Sequence, residues 1–189
     1  MKRYFLALLL GGIAAAQSPS SAQLIAAARM QLGVTRGYDG SYVRLRYPGG
    51  DVASDTGVCS DVLVRAFRQL AIDLQKNVHE DMRAAFAEYP QRWKVKAPDS
   101  NIDHRRVPNL MTYFKRRGKE LPITREGADY RPGDIVAWDL GRGVMHIGII
   151  SDDKALSSGR YKVLHNIGRG VEIEDMLFDF RIIDRKSVV

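Results

Sequence analysis

One cysteine, Cys59, and four histidines, His79, His104, His146 and His165, are the side chains of this sequence best suited to covalent or acid–base chemistry. A thiol nucleophile needs a base to take its proton and a third group to orient that base. Cys59 opens the clearest helical pattern in the chain. Cys59, Val62, Leu63, Ala66, Phe67 and Leu70 recur at the spacing of one buried helix face. A helix start offers unpaired amides and the positive end of the dipole, both of which favour a thiolate. Asp55 and Asp61 oppose that effect, so a cationic histidine close to the sulfur is expected to complete it.

His146 lies within Val144-Met145-His146-Ile147-Gly148-Ile149-Ile150, an apolar strand pattern, and His165 within Val163-Leu164-His165-Asn166-Ile167. In antiparallel neighbours His165 can stand beside His146 and hold its second ring nitrogen. Gly148 leaves that face open for the approach. Asn166 points to the opposite face and competes with His165 for the same role. The expected set is therefore Cys59 as nucleophile, His146 as base and His165 as orienter. Singly, each has a plainer reading: a small core cysteine, a satisfied interior imidazole. The ordered combination carries the chemical reading.

A metal site is the competing possibility. His79, Glu80, Asp81, Asp99, Asp103 and His104 supply nitrogen and hard oxygen donors. Their spacing matches no zinc motif, and His79-Glu80 fails the HExxH pattern at Arg83. Glycine-rich phosphate loops and the GxSxG elbow are absent from the sequence, and Gly141-x-Gly143 and Gly168-x-Gly170 read as hairpin turns. No metal or organic cofactor is expected.

Four helices are expected to frame these residues, over 18–33, 57–74, 78–88 and 108–117, with Ser20 or Ser21 capping the first and Pro108 opening the last. A weak edge hairpin is expected over 42–47, and a polar surface loop over 93–107. Period-two segments follow at 135–138, 144–150, 161–167, 171–173 and 180–183. Helices followed by an antiparallel meander make an α+β layout.

Length and composition set the outer bounds. The 189 residues are 45 % apolar, which suits one globular domain. A single cysteine excludes an intramolecular disulfide and any zinc site built on several thiolates. Lys2 and Arg3 precede a short apolar run ending in Ala14-Ala15-Ala16, the pattern of a secretory signal peptide. The run falls short of the ~20 residues of a membrane span. Residues 1–16 are therefore expected to be removed, leaving 17–189 as one exported domain without stable membrane insertion. Export makes nucleic acid an unexpected partner despite the net charge of +7. It also sharpens the question of why a lone thiol is kept.

Gly57-Val58-Cys59-Ser60-Asp61-Val62, Pro132-Gly133-Asp134-Ile135-Val136 and His146-Ile147-Gly148-Ile149 resemble the NlpC-type, papain-like cysteine peptidases. In that superfamily a Cys–Ser pair opens the core helix, and a polar residue on the next strand follows the catalytic histidine. The resemblance maps those roles onto Cys59, His146 and His165. Asp61 departs from the pattern, since many such enzymes carry Gly there. Longer strings are similar to an exported bacterial family known as domain of unknown function 1287. They are Val78-His79-Glu80-Asp81-Met82, Asn101-Ile102-Asp103-His104-Arg105-Arg106-Val107-Pro108 and His165-Asn166-Ile167-Gly168.

The resemblance implies a monomeric papain-like domain, periplasmic or secreted, with a helical insertion between nucleophile helix and sheet. It implies amide hydrolysis in peptidoglycan stem peptides. His79, Asp103, His104 and Arg105 from the insertion, with Asn166 from the sheet, are the expected substrate contacts. Acyl transfer on the same Cys–His pair, or a periplasmic binding module without activity, are the alternatives.

Overall fold

The computed structural model describes residues 19–187. The expected signal segment at 1–16 lies outside the described residues. Helix α1 spans Ser21–Arg29, α2 Cys59–Gln69, α3 Leu74–Ala84 and α4 Val107–Arg116. Five strands follow: β1 Ile135–Gly141, β2 Val144–Lys154, β3 Tyr161–Asn166, β4 Val171–Glu174 and β5 Arg181–Lys186. The layout is α+β, as the pattern of residues predicts.

Local chemistry explains the helix ends. Ser20 and Gln23 cap α1 reciprocally: the Gln23 N–H donates to Ser20 Oγ at 3.3 Å, and the Ser20 N–H to Gln23 Oε1 at 2.9 Å. Helix α3 begins earlier than periodicity suggests, because Asp73 Oδ1 accepts from the Gln75 and Lys76 amides at 3.0 and 3.3 Å. Gly118, at φ +69°, takes the left-handed turn just beyond α4.

The expected hairpin over 42–47 is not formed; the segment carries no strand. Its backbone groups go to side chains instead of a ladder. The Leu45 amide donates to Asn101 Oδ1 at 2.8 Å, and the Arg46 carbonyl accepts from Gln75 Nε2 at 3.0 Å. Long-range polar partners thus outcompete weak local alternation.

The sheet is antiparallel throughout, in the order β4-β3-β2-β1-β5. The first four strands form the expected meander. The fifth crosses to the free edge of β1 rather than extending beyond β4. Ile135, Ala137, Ile147, Ile149 and Leu164 join the helices in the main core. Val136, Trp138, Ile150 and Val163 face the other way and build a smaller core with Tyr130, Met176 and Leu177.

Helix α2 lies at the centre. All nine residues from Cys59 to Phe67 are buried, including Ser60, Asp61 and Arg65. One buried face was expected; the loop before α2 covers Arg65, which donates to Thr35 and Asp51, and Arg105 of the insertion covers Ser60 and Asp61. Among the described residues no helix is long and apolar enough to cross a membrane.

Candidate active site

Cys59 is the first residue of α2 and is 3 % exposed. The preceding Val58 has no side-chain acceptor, so the helix start is capped from inside. Asp61 Oδ2 accepts the Val58 amide at 2.7 Å. The same carboxylate takes Arg105: Nε lies 3.0 Å from Oδ1 and Nη2 2.9 Å from Oδ2. Arg105 also donates to the carbonyls of Ser41 at 3.1 Å and Asp39 at 3.0 Å. Ser60 Oγ donates back to the Arg105 carbonyl at 2.7 Å. One buried ion pair therefore clamps the nucleophile helix, the 39–41 loop and the 103–105 turn together. The buried Asp61 carboxylate is thus matched by the Arg105 guanidinium of the 103–105 turn.

A second staple reaches the site from the sheet. Asn166 Nδ2 donates to the carbonyls of Gly37 at 3.0 Å and Gly57 at 3.1 Å. Its Oδ1 accepts from the Gly168 and Gly170 amides at 3.1 and 3.3 Å. Asn166 thus fixes the segment entering α2.

The two strand histidines meet. His146 on β2 sits opposite Trp138 of β1, and its Nε2 lies 3.0 Å from Nδ1 of His165 on β3. The rings are edge to face, with centroids 5.0 Å apart. Gly148 makes room for this: a Cβ there would lie 3.1 Å from His165 Cβ and 2.7 Å from a Val163 methyl. On its far side His165 Nε2 lies 3.1 Å from Glu174 Oε2, close but poorly aligned for a hydrogen bond. Glu174 is a neighbour that sequence spacing alone did not single out.

The 3.0 Å contact between the two rings needs one donor and one acceptor. A proton on His165 Nε2 faces the Glu174 carboxylate and leaves Nδ1 as an acceptor. His146 then carries its proton on Nε2, and its Nδ1 holds a free lone pair. Burial pushes His146 down to about 3 and His165 to about 4, so both are neutral at pH 7.

The thiol lies against the same strand. The Ile147 backbone and the Tyr38 hydroxyl lie close enough to favour its anion, which places the sulfur beside the peptide that follows His146. Burial nevertheless outweighs these contacts and raises the Cys59 pKa to about 11. The expectation of a depressed thiol pKa is thereby corrected. The helix start is there, but desolvation dominates, and among the described residues no hydrogen bond joins the sulfur to the His146 ring, which is itself neutral and held by His165. Tyr38 stays protonated as well, its pKa raised by burial and then by the nearby sulfur.

Cys59 forms part of an open groove of roughly 240 Å³ whose walls include Tyr38, Trp93, Arg106 and Met145. None of these four was singled out by spacing, because they come from four separate stretches of chain. A larger cleft of about 440 Å³, lined by residues such as Arg44, Arg46 and Asp51, contains neither thiol nor imidazole.

The expected substrate contacts fall elsewhere or are otherwise engaged. His79 Nδ1 lies 3.2 Å from Asp103 Oδ2, which also accepts the Asp99 amide at 2.6 Å. His104 is 1 % exposed with no partner for Nδ1, and burial lowers its pKa to about 4. None of these three residues lines the Cys59 groove. Arg105 does line it, but spends its donors on Asp61 and two carbonyls. Asn166 is wholly buried in its loop contacts. The insertion residues hold the site from behind because their polar groups are needed to satisfy buried backbone and charge. As for the metal alternative, no three His, Cys, Asp or Glu side chains converge suitably among the described residues.

Comparison with known proteins adds a family. The chain is 56 % identical over 156 residues to "Uncharacterized protein YijF" of Escherichia coli (strain K12), covering 82 % of this chain and 76 % of that protein. The profile of DUF1287, described as "Domain of unknown function (DUF1287)", matches residues 25–186. The match runs from within α1 to the end of β5, so the chain belongs to the DUF1287 family.

Proposed function

We propose that this protein is an exported cysteine hydrolase of NlpC-type, papain-like architecture that cleaves amide bonds in peptidoglycan stem peptides. The observation that carries the reading is the Cys59 thiol at the start of α2, set against the peptide next to His146, whose ring is held by His165 at 3.0 Å. A core helix starting with the thiol and packed on an antiparallel sheet bearing the histidines is the arrangement such chemistry needs.

At rest both thiol and imidazole are neutral, so deprotonation accompanies attack. In this reading His146 takes the thiol proton as sulfur bonds to the amide carbonyl carbon, which requires its ring, held by His165 on the strand face it shares with Gly148 and Ile150, to turn toward the sulfur. The Cys59 amide at the helix start and the Tyr38 hydroxyl are the donors placed to meet the developing oxyanion. Collapse breaks the C–N bond, and His146 returns its proton to the leaving amine. Water then gives a proton to His146 and adds to the thioester. Its breakdown releases the carboxylic acid and restores the thiol. His165, whose Nδ1 lies 3.0 Å from His146 Nε2, keeps His146 in the tautomer that accepts at Nδ1.

In this reading 17–189 acts as a monomer in the periplasm or outside the cell. The test is digestion of purified sacculi, with released fragments identified by mass. Wild-type protein should release stem-peptide fragments and Cys59→Ala should release none. Wild-type-level release by Cys59→Ala, or no release by wild type, overturns the proposal.

A further inference from the structure

Two guanidinium groups line the Cys59 groove without a carboxylate to neutralise them. Arg106 stacks on Trp93, its Cζ 4.3 Å from the ring centroid, and Arg92 lies on the same ring at 6.0 Å. Arg92 Nη1 also rests 3.3 Å from Met145 Sδ on the opposite rim. No acidic side chain lines the groove, and among the described residues neither arginine has a carboxylate oxygen within 4.0 Å. Asp99 and Asp103 feel the Arg106 charge, and Asp139 that of Arg92, but each is engaged with other donors.

The tryptophan is presented deliberately. Trp93 and Lys94 both adopt the left-handed region, at φ +56° and +50°, and Trp93 stays 50 % exposed. Consecutive non-glycine residues in that region are unfavourable, so the surrounding structure must hold them there. The result is an aromatic brace that orders two long cations beside the thiol. A guanidinium stacked by its face keeps its edge donors free, in the fork geometry that matches a carboxylate.

We infer that Arg92 and Arg106, braced by Trp93, form a carboxylate-recognition wall, so that the preferred acyl donor carries a negative charge close to the scissile amide. The inference rests on the hydrolase reading and deepens it by naming the charge of the substrate next to the cut.

The test uses the full mature chain and its single cysteine. Cys59 is alkylated at pH 8 with iodoacetate and, separately, with neutral iodoacetamide, and the ratio of the two rates is taken. The wall should raise this ratio above that of a free thiol such as glutathione. Arg92→Gln with Arg106→Gln should lower it about fivefold or more, as expected when focusing of an anion by local charge is lost. Lys76→Gln, a charge removed away from the groove, should leave it unchanged. A ratio equal to that of glutathione, or unmoved by the arginine changes, overturns the inference while leaving the hydrolase reading intact. Labelling of Cys59 by neither reagent overturns both, because a thiol closed to a haloacetyl group is closed to an amide. Sacculus digestion that fails while the ratio behaves as stated removes the hydrolase reading and keeps an anion-selective thiol groove.

Discussion

The two halves of the site are held by different forces. The helix end that carries Cys59 is fixed by buried charge and polar staples: Asp61 with Arg105, Ser60 with the Arg105 carbonyl, Asn166 with Gly37 and Gly57. The sheet end that carries His146 and His165 is fixed by the ladder, by apolar burial and by the missing side chain at Gly148. A clamp made of charge fails when one partner is removed. A pair of imidazoles held neutral by burial fails when protons are forced on it.

The largest expected effect breaks the helix end. Arg105→Met strands the Asp61 carboxylate in a dry site and should destabilise the fold by about 3–5 kcal/mol in urea unfolding. A loss below about 1 kcal/mol would mean that the clamp is not structural. Next, Gly148→Ala probes the sheet end without changing charge. The added methyl must displace Val163 or His165, with an expected cost of about 1–3 kcal/mol and a sharp fall in any turnover. An alanine variant of native stability and activity would show that the close approach is unimportant.

The pH dependence distinguishes the halves further. His146 and His165 have folded pKa values of about 3 and about 4, below the unfolded ~6.5. Below pH 6.5 the unfolded chain binds more protons, so stability falls as pH drops. Each imidazole should contribute a loss of about 1 kcal/mol between pH 6.5 and 5.5, and buried His104 adds a third. Denaturation curves that superimpose over that interval would contradict the neutral, buried assignment. The smallest effect on stability belongs to Glu174→Gln. The residue is 36 % exposed at its side chain, so the fold should change by less than about 0.5 kcal/mol. Turnover should nevertheless fall, with the His146 tautomer altered in the imidazole NMR signals.

Much of this was legible because it depends on local pattern. The start of α2 at Cys59 and the five strands follow from apolar spacing, and the His146–His165 contact from strand alternation across neighbouring strands. The failures have a common cause. The 42–47 segment, the early start of α3 at Leu74 and the role of Arg105 were all decided by polar partners distant in sequence or by a cap the spacing did not reveal.

By itself the sequence determined the α+β order of elements, the lone thiol at a helix start and the pair of strand histidines, because periods of 3.6 and 2 are properties of the chain. Only the tertiary structure decided the charge state of that thiol and which residues line its groove. Desolvation depends on everything packed around a group, so the raised Cys59 pKa could not be read from its neighbours in the chain. The groove is likewise a meeting of Tyr38, Trp93, Arg106 and Met145. Their separation in the chain is bridged only when the insertion folds over the nucleophile helix.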